Sequence, residues 1–501
     1  MKRITKHLMT LLLSVVMVMA MGLIVFAEER TSTYTLTLTD TTEGHKYEVY
    51  QIFTGDLSTN AEGKKVLSNV KWNTDTYTGT QSAADVAKAL SDGTMTIATL
   101  EDNLTLTTPV KTVTSSKGST VIDGLVAGYY LVKDKDGTQA NTSDAYTKFI
   151  VQVVGNAEVK VKSDVPTVVK KVKDKNDSTG EESDWQDSAD ADINDDVQYQ
   201  ITGTMPDNIK DYKTYKYVFT DTMSKGLTYE NDKKITIGGK DVTSSFTENT
   251  TTADGKTVVT WTCNNLKDIE GVTLDENTTV VVNYSAKLNE NAVIGSAGNP
   301  NTVNLTYSNN PNKGGDGETG KTPDDKNIVF TYKVVVNKVE KVGEDNKPLK
   351  GAGFTLQKSV MKADGTGTTE YKDVKSFTAG DDTTFTFTGL DDGDYKLIES
   401  TTPAGYNTIA PVEFTISATH NDTADEPELL TLTGDKKTGE ATFTADLSAG
   451  SLTTDIVNKK GSTLPSTGGR GTTMIYIIGA ALVVMAGVVL AMRKKMNSKE
   501  S

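Results

Sequence analysis

Residues 34–38 read Tyr34-Thr35-Leu36-Thr37-Leu38, and residues 385–387 repeat the pattern as Phe385-Thr386-Phe387. Apolar and polar side chains alternate with period two, so each segment, when extended, has one apolar and one polar face. That is the signature of a half-buried strand. The alternation recurs across residues 34–457 between turns rich in Gly, Asp and Asn, which predicts an all-β chain. One stretch departs from it. Over residues 82–90, Ser82 can cap a helix with Asp85 three residues on, and Gly93 closes it. A short helix packed on a sandwich edge is expected there.

The chain has 501 residues, 36% of them hydrophobic and 24% charged. At about 150 residues per domain this is room for about three domains, and a single core is excluded. Non-periodic breaks fall at Ser163-Asp164-Val165-Pro166 and from Asn309-Asn310-Pro311 to Lys321-Thr322-Pro323. The expected organisation is a signal peptide over 1–27, sandwiches over 28–164, 165–320 and 321–462, and a terminal segment over 463–501. Lys2, Arg3 and Lys6 precede an apolar run over 8–26, with Val25 and Ala27 at a plausible cleavage point, which reads as a secretory signal. An uncleaved anchor would export the chain equally well. At the other end, residues 474–492 carry no charge, and 19 residues of helix span about 28 Å, close to the hydrocarbon thickness of a bilayer. Arg493, Lys494 and Lys495 follow and hold the tail on the cytoplasmic side. Without 1–27 and 468–501 the chain keeps 44 basic against 66 acidic side chains, a net charge of −22. Such a surface repels nucleic acid and anionic lipid. Cys263 is the single cysteine, so no intrachain disulfide can staple the exported domains.

Upstream of the apolar span, Leu464, Pro465, Ser466, Thr467 and Gly468 spell LPSTG. Pentapeptide, span and basic tail in this order resemble the cell-wall sorting signals of Gram-positive surface proteins. The resemblance implies that a sortase cleaves between Thr467 and Gly468 and passes the threonine acyl group to an amine. An ordinary single-span membrane protein is the plainer alternative.

A second motif lies at residues 395–406, YKLIESTTPAGY, in which Tyr395, Leu397 and Glu399 alternate on one strand before Pro403, Gly405 and Tyr406. It resembles the E-box of Cna-B-type domains in sortase-assembled pilins. Alternation places Lys338 on the same face as Val334 and Val336, which points an ammonium into the core. Gly351, Ala352 and Phe354 follow as that family's second strand, and the last strand ends at Asn458. The resemblance thus places Lys338, Glu399 and Asn458 where the family forms an intramolecular isopeptide bond. A buried lysine tends to lose its proton and a buried carboxyl to keep its own, because burial disfavours charge. The neutral amine is then a nucleophile. Glu399 as an acid can donate to the Asn458 carboxamide oxygen and shuttle protons while ammonia leaves. No cofactor is required. A buried Lys338–Glu399 salt bridge is the reading without the family context.

The middle domain opens with Val168, Val169, Lys170 and Lys171, continues through Thr220-Asp221-Thr222, and closes with Asn301-Thr302-Val303-Asn304-Leu305-Thr306-Tyr307. These segments resemble the second domain of backbone pilins, in which aspartate replaces glutamate. The resemblance implies that Lys170 attacks Asn301 with Asp221 as the acid; Lys171, and Asn304 or Asn309, stay open as alternatives. In the first domain, residues 124–134 align without gaps on 389–399 and put Asp134 in the acid's slot. The strand before Gly44 carries no lysine, so a sandwich without an isopeptide bond is expected. Backbone pilins accept the next subunit on a lysine just before the second domain, which Lys162 matches by position, with Lys160 as the alternative. A solvated charged strand edge would look the same.

Other chemistry has little material. Asp174, Asn176 and Ser178 suggest a calcium loop, but Thr179 stands where an EF-hand needs glycine and Trp185 where it needs glutamate, so a solvated loop is expected and no metal. Only His45 and His420 survive signal removal, which starves zinc and Ser-His or Cys-His sites. Cys263 alternates with Trp261 and Val259 and suits a buried strand position. Three tandem immunoglobulin-like, Cna-type β-sandwiches are the expected fold. The expected function is a non-enzymatic backbone pilin, secreted and wall-anchored after a transient membrane span. Its partners would be sortase, other pilin subunits and peptidoglycan, with a host or bacterial surface ligand left open. A singly displayed wall-anchored adhesin is the alternative, and an anchored hydrolase a third.

Overall fold

The computed structural model describes residues 32–73, 77–106, 108–135, 137, 145–161, 165–315, 318–461, 478–489 and 492. The signal segment, Lys162 and the pentapeptide 464–468 lie outside these.

Tyr34–Thr41 forms the centre of a three-stranded sheet, antiparallel to Gly118–Leu125 and parallel to Ala157–Lys160. Leu36 and Leu38 are fully buried and the intervening threonines are not, as alternation requires. The facing sheet runs Lys65–Trp72, Lys46–Thr59, Gly128–Asp134, Lys148–Val153, with Lys111–Thr114 also on Lys46–Thr59. The expected helix is present as Ala83–Ser91, the Ser82 side chain accepting from the Asp85 N–H, and it packs against Lys65–Trp72. A second, five-residue helix, Ile97–Glu101, capped by Thr96, is too short to leave a readable period.

The second sandwich sets the sheet Ser188–Asp190, Asp325–Phe330, Asn299–Ser308, Tyr217–Met223, Lys256–Cys263, Thr247–Ala253 against the sheet Lys240–Asp241, Lys234–Ile237, Thr279–Leu288, Asp196–Thr204, Val168–Val172. Tyr199, Tyr217, Phe219, Trp261 and Tyr284 fill the space between, and Cys263 is buried among them. Each such aromatic withdrawn from water contributes about 1.5–3 kcal/mol.

In the third sandwich Tyr332–Val342 lies between Thr384–Leu390, antiparallel, and Ser451–Asn458, parallel. The facing sheet runs Thr369–Phe377, Gly353–Met361, Gly393–Thr401, Val412–His420, Leu429–Lys436. First and last strands are thus direct neighbours, with Lys338 opposite Ile456 and Glu340 opposite Asn458.

Two expectations need correction. The boundary at 320/321 falls inside the middle sandwich, because Asp325–Phe330 pairs with Asn299–Ser308 in its sheet. The Gly- and Pro-rich stretch is a loop of that sheet: Pro311–Lys313 turns, and Thr319–Lys321 pairs back on Asn299–Ser308. The chain then passes through buried Thr331 straight into Tyr332–Val342. The acidic stretch 174–196 is also no solvated loop. It packs on the third sandwich, with Ser178 Oγ donating to the Ser359 carbonyl at 2.7 Å and Asn176 Nδ2 to Asp392 Oδ1 at 2.7 Å.

Residues 478–489 are helical and present exposed Leu482, Val483 and Val489. Among the described residues no helix is long and apolar enough to cross a membrane; the expected span 474–492 lies partly outside them.

Candidate functional site

The strand Tyr332–Val342 buries Tyr332, Val334, Val336 and Lys338 in alternation, so Lys338 reaches the interior by the same geometry that buries its valines. Its Nζ lies 3.2 Å from Glu399 Oε1 and donates to Asn458 Oδ1 and, at 3.3 Å, to the Ile456 carbonyl. Asn458 Nδ2 donates to Glu399 Oε1 at 2.9 Å and to Oε2 at 3.2 Å. Glu399 Oε2 is held by the Ile409 N–H at 3.1 Å, on the loop that follows the E-box. Burial holds the Lys338 ammonium below its usual range, with Glu399 pulling the other way. All three side chains are buried, and the Phe354 ring covers Nζ at 5.8 Å. Glu399 therefore stands on the leaving nitrogen, Nδ2, where the sequence argument had placed it on the carboxamide oxygen. From there it can protonate the departing ammonia directly.

The second sandwich assembles a related group. Lys170 and Asp221 are fully buried, with Lys170 Nζ 2.5 Å from Asp221 Oδ1. Burial again lowers the lysine, more than Asp221 and Asp325 raise it. Asn301 is fully buried beside them, its Nδ2 donating to the Tyr284 hydroxyl at 2.8 Å. The alternatives lie elsewhere. Lys171 points to the other face and pairs with Asp187 at 2.5 Å; Asn304 donates to Asp324 Oδ1 at 2.9 Å; the Asn309 carbonyl accepts from Tyr146 N–H at the junction with the first sandwich.

Three participants escaped the sequence reading. The Tyr284 hydroxyl contacts Lys170, Asp221 and Asn301 together. Val168–Val172 is an edge strand, and Lys170's own amide and carbonyl are satisfied by side chains of Asp325–Phe330: Asp325 Oδ2 accepts from its N–H at 2.5 Å and Asn327 Nδ2 donates to its carbonyl at 3.0 Å. The signal available was the alternation of Asp325 and Asn327 on one strand face.

In the first sandwich Asp134 is fully buried in the acid's slot, but His45 Nδ1 lies 3.0 Å from its Oδ1 and the Thr147 N–H donates to Oδ2 at 2.7 Å. Tyr34–Thr41 offers leucines and threonines where the third domain has Lys338. Lys160 is exposed and pairs with Asp40 Oδ2 at 2.8 Å. Lys162, Leu464, Pro465, Ser466, Thr467 and Gly468 are outside the described residues.

Family models match three parts of the chain. Residues 193–311 match the Gram-positive pilin backbone subunit 2, Cna-B-like domain; residues 335–429 a prealbumin-like fold domain; residues 456–499 the LPXTG cell wall anchor motif. The chain is 27% identical over 402 residues to the trypsin-resistant surface T6 protein of Streptococcus pyogenes serotype M6, covering 67% of this chain and 70% of the relative. Over these segments the chain is similar to the Gram-positive backbone pilins. Among solved structures, the three-domain T6 backbone pilin of Streptococcus pyogenes superposes with a TM-score of 0.51 at 18% identity, covering 87% of this pilin and 100% of that chain. The full-length major pilin SpaD of Corynebacterium diphtheriae gives 0.46 at 21%, covering 87% and 98%. The anchor motif and the likeness to structural backbone pilins mark this chain as a wall-anchored surface protein of structural type.

Proposed function

We propose that this pilin is a shaft subunit whose second and third sandwiches each close covalently, through Lys170–Asn301 and Lys338–Asn458, and which a sortase joins through Thr467 to a lysine of its neighbour, Lys162 or Lys160. The three sandwiches are taken as 28–164, 165–331 and 332–462. The observation that carries this reading is that a lysine whose ionisation is lowered by burial, a carboxyl group and a carboxamide meet in a dry core in two sandwiches, and that the first strand of the first sandwich carries no lysine. In each bond Nζ attacks the carboxamide Cγ, the Cγ–Nδ2 bond breaks, and one proton passes from Nζ to the departing nitrogen, which leaves as ammonia.

Polymer growth is tested in the wall of the living cell. Lys162→Arg keeps the charge but removes an amine that can lose its proton and attack. Boiled wall extracts of the variant should hold wall-linked monomer and no ladder of covalent multimers. A ladder that persists in Lys162→Arg and also in Lys160→Arg contradicts the proposed acceptor, and a wild-type protein with no ladder favours the singly displayed adhesin.

A further inference from the structure

The two buried groups are not wired alike. In the third sandwich Glu399 touches both the lysine and the leaving nitrogen of the carboxamide. In the second, the acid is aspartate, one methylene shorter, and the group that reaches the leaving nitrogen is Tyr284 on Thr279–Leu288. Its hydroxyl donates to Asp221 Oδ2 at 2.7 Å while accepting from Lys170 Nζ at 2.5 Å and from Asn301 Nδ2 at 2.8 Å. Acid, nucleophile and leaving group converge on one oxygen. The ring is fixed by stacking on Tyr199 at 5.3 Å and by Trp261 at 5.4 Å, so the hydroxyl has little freedom to seek another partner. Burial, with Asp221 beside it, drives its ionisation far above the usual range, so it remains a phenol with a proton to give.

We infer that Tyr284 is a catalytic residue of the second sandwich, relaying the proton from Asp221 to the leaving nitrogen of Asn301. The inference rests on the proposed Lys170–Asn301 bond. Asp221 first takes a proton from the Lys170 ammonium, leaving a neutral amine beside a carboxylic acid. Nζ bonds to Cγ of Asn301. As the Cγ–Nδ2 bond breaks, Tyr284 gives its hydroxyl proton to Nδ2 and takes one from the Asp221 carboxyl. The new amide nitrogen returns its surplus proton to Asp221, and ammonia departs. No oxidant, metal or cofactor enters the balance. The aspartate can thus be shorter than Glu399 without losing the leaving group.

The test follows bond formation from the moment of synthesis, with the mature chain, residues 28–462, made in a cell-free reaction. Samples are digested over time and the peptide joining the Lys170 and Asn301 segments is quantified, with the Lys338–Asn458 peptide of the same molecules as internal control. Tyr284→Phe should slow the first by at least about 100-fold and leave the second unchanged, in the range removed with a general acid–base group. Equal rates in wild type and Tyr284→Phe overturn the relay. A wild-type chain that never yields the Lys170–Asn301 peptide overturns the underlying bond instead, which separates the two failures. If Tyr284→Phe fails to fold, 3,5-difluorotyrosine at 284 keeps ring and hydroxyl while making the phenol more acidic. A relay predicts a rate changed by at least about threefold; an unchanged rate overturns it.

Discussion

Among the described residues four lysines, Lys148, Lys170, Lys338 and Lys358, are buried beside carboxylates, and the surroundings of the last three give them opposite chemistry. Lys358 sits among Asp192 at 2.5 Å, Asp177 at 3.6 Å and Asp391, and these hold its ammonium above the usual range against the cost of burial. It is a charge clamp. Lys338 faces Glu399, and Lys170 faces Asp221 with Asp325 farther from its ammonium; in both, desolvation outweighs the acids and the amine is lowered. Lys338 donates to the Asn458 carboxamide, and Lys170 shares the Tyr284 hydroxyl with the Asn301 carboxamide. Replacing Glu399 with Gln leaves shape and burial but nothing to carry the proton to Nδ2. The Lys338–Asn458 peptide should then disappear from digests while the Lys170–Asn301 peptide stays; a persisting Lys338–Asn458 peptide contradicts the assigned acid. Alternation turned Lys338 inward, while Glu399 and Asn458 came from the family resemblance of the YKLIESTTPAGY motif and the last strand; the structure brings the three side chains together. Tyr284 was not legible in the sequence. An inward tyrosine looks like any other core aromatic until the three hydroxyl contacts are seen.

At the scale of elements, alternation foretold the sheets and the Ser82 cap foretold the helix Ala83–Ser91. The strand Asp325–Phe330 was misplaced because glycine and proline before it mark a turn equally well inside a sheet and between domains. The segment 174–196 and the turn before Gly393–Thr401 bring carboxylates to the junction of the second and third sandwiches. Asp174, Asn176, Lys358 and His420 surround Asp392; Asp192, Asp177 and Lys358 surround Asp195. Burial pushes both Asp392 and Asp195 up to about 6 from an ordinary 3.8, with neighbouring aspartates adding to it. The folded junction therefore binds protons that the unfolded chain releases near pH 4, and stability falls as the pH rises between about 4 and 6. Carboxylates lowered by surface partners, such as Glu413 and Glu340, act with the opposite sign around and below their ordinary 4.5, so they contribute little between pH 5 and 7. Calorimetry should give a higher melting temperature for the second and third sandwiches at pH 5 than at pH 7, with a smaller gap in an Asp195→Asn, Asp392→Asn double variant. Equal melting temperatures, or a reversed order, contradict the account.

Across the whole molecule, the proposed bonds lie where a pilus would carry load. Asn458 ends the last strand of the third sandwich, on the side of the exit toward Thr467, and Lys338 lies on the parallel first strand beside it. A bond between residues 120 apart closes a loop whose chain-entropy stabilisation is about 5 kcal/mol. Tension entering at the C-terminal end crosses to the first strand through covalent bonds and bypasses sheet hydrogen bonds worth only about 1 kcal/mol net apiece. The first sandwich, with His45 beside Asp134 and no lysine on Tyr34–Thr41, has no such shunt. The proposed design therefore has two covalent bonds and no third, which intact mass reads directly. Recombinant residues 28–462 should be lighter than the sequence mass by about 34 Da, about 17 Da for each ammonia lost. A mass equal to that of the sequence, or a loss of a third ammonia, would contradict the account.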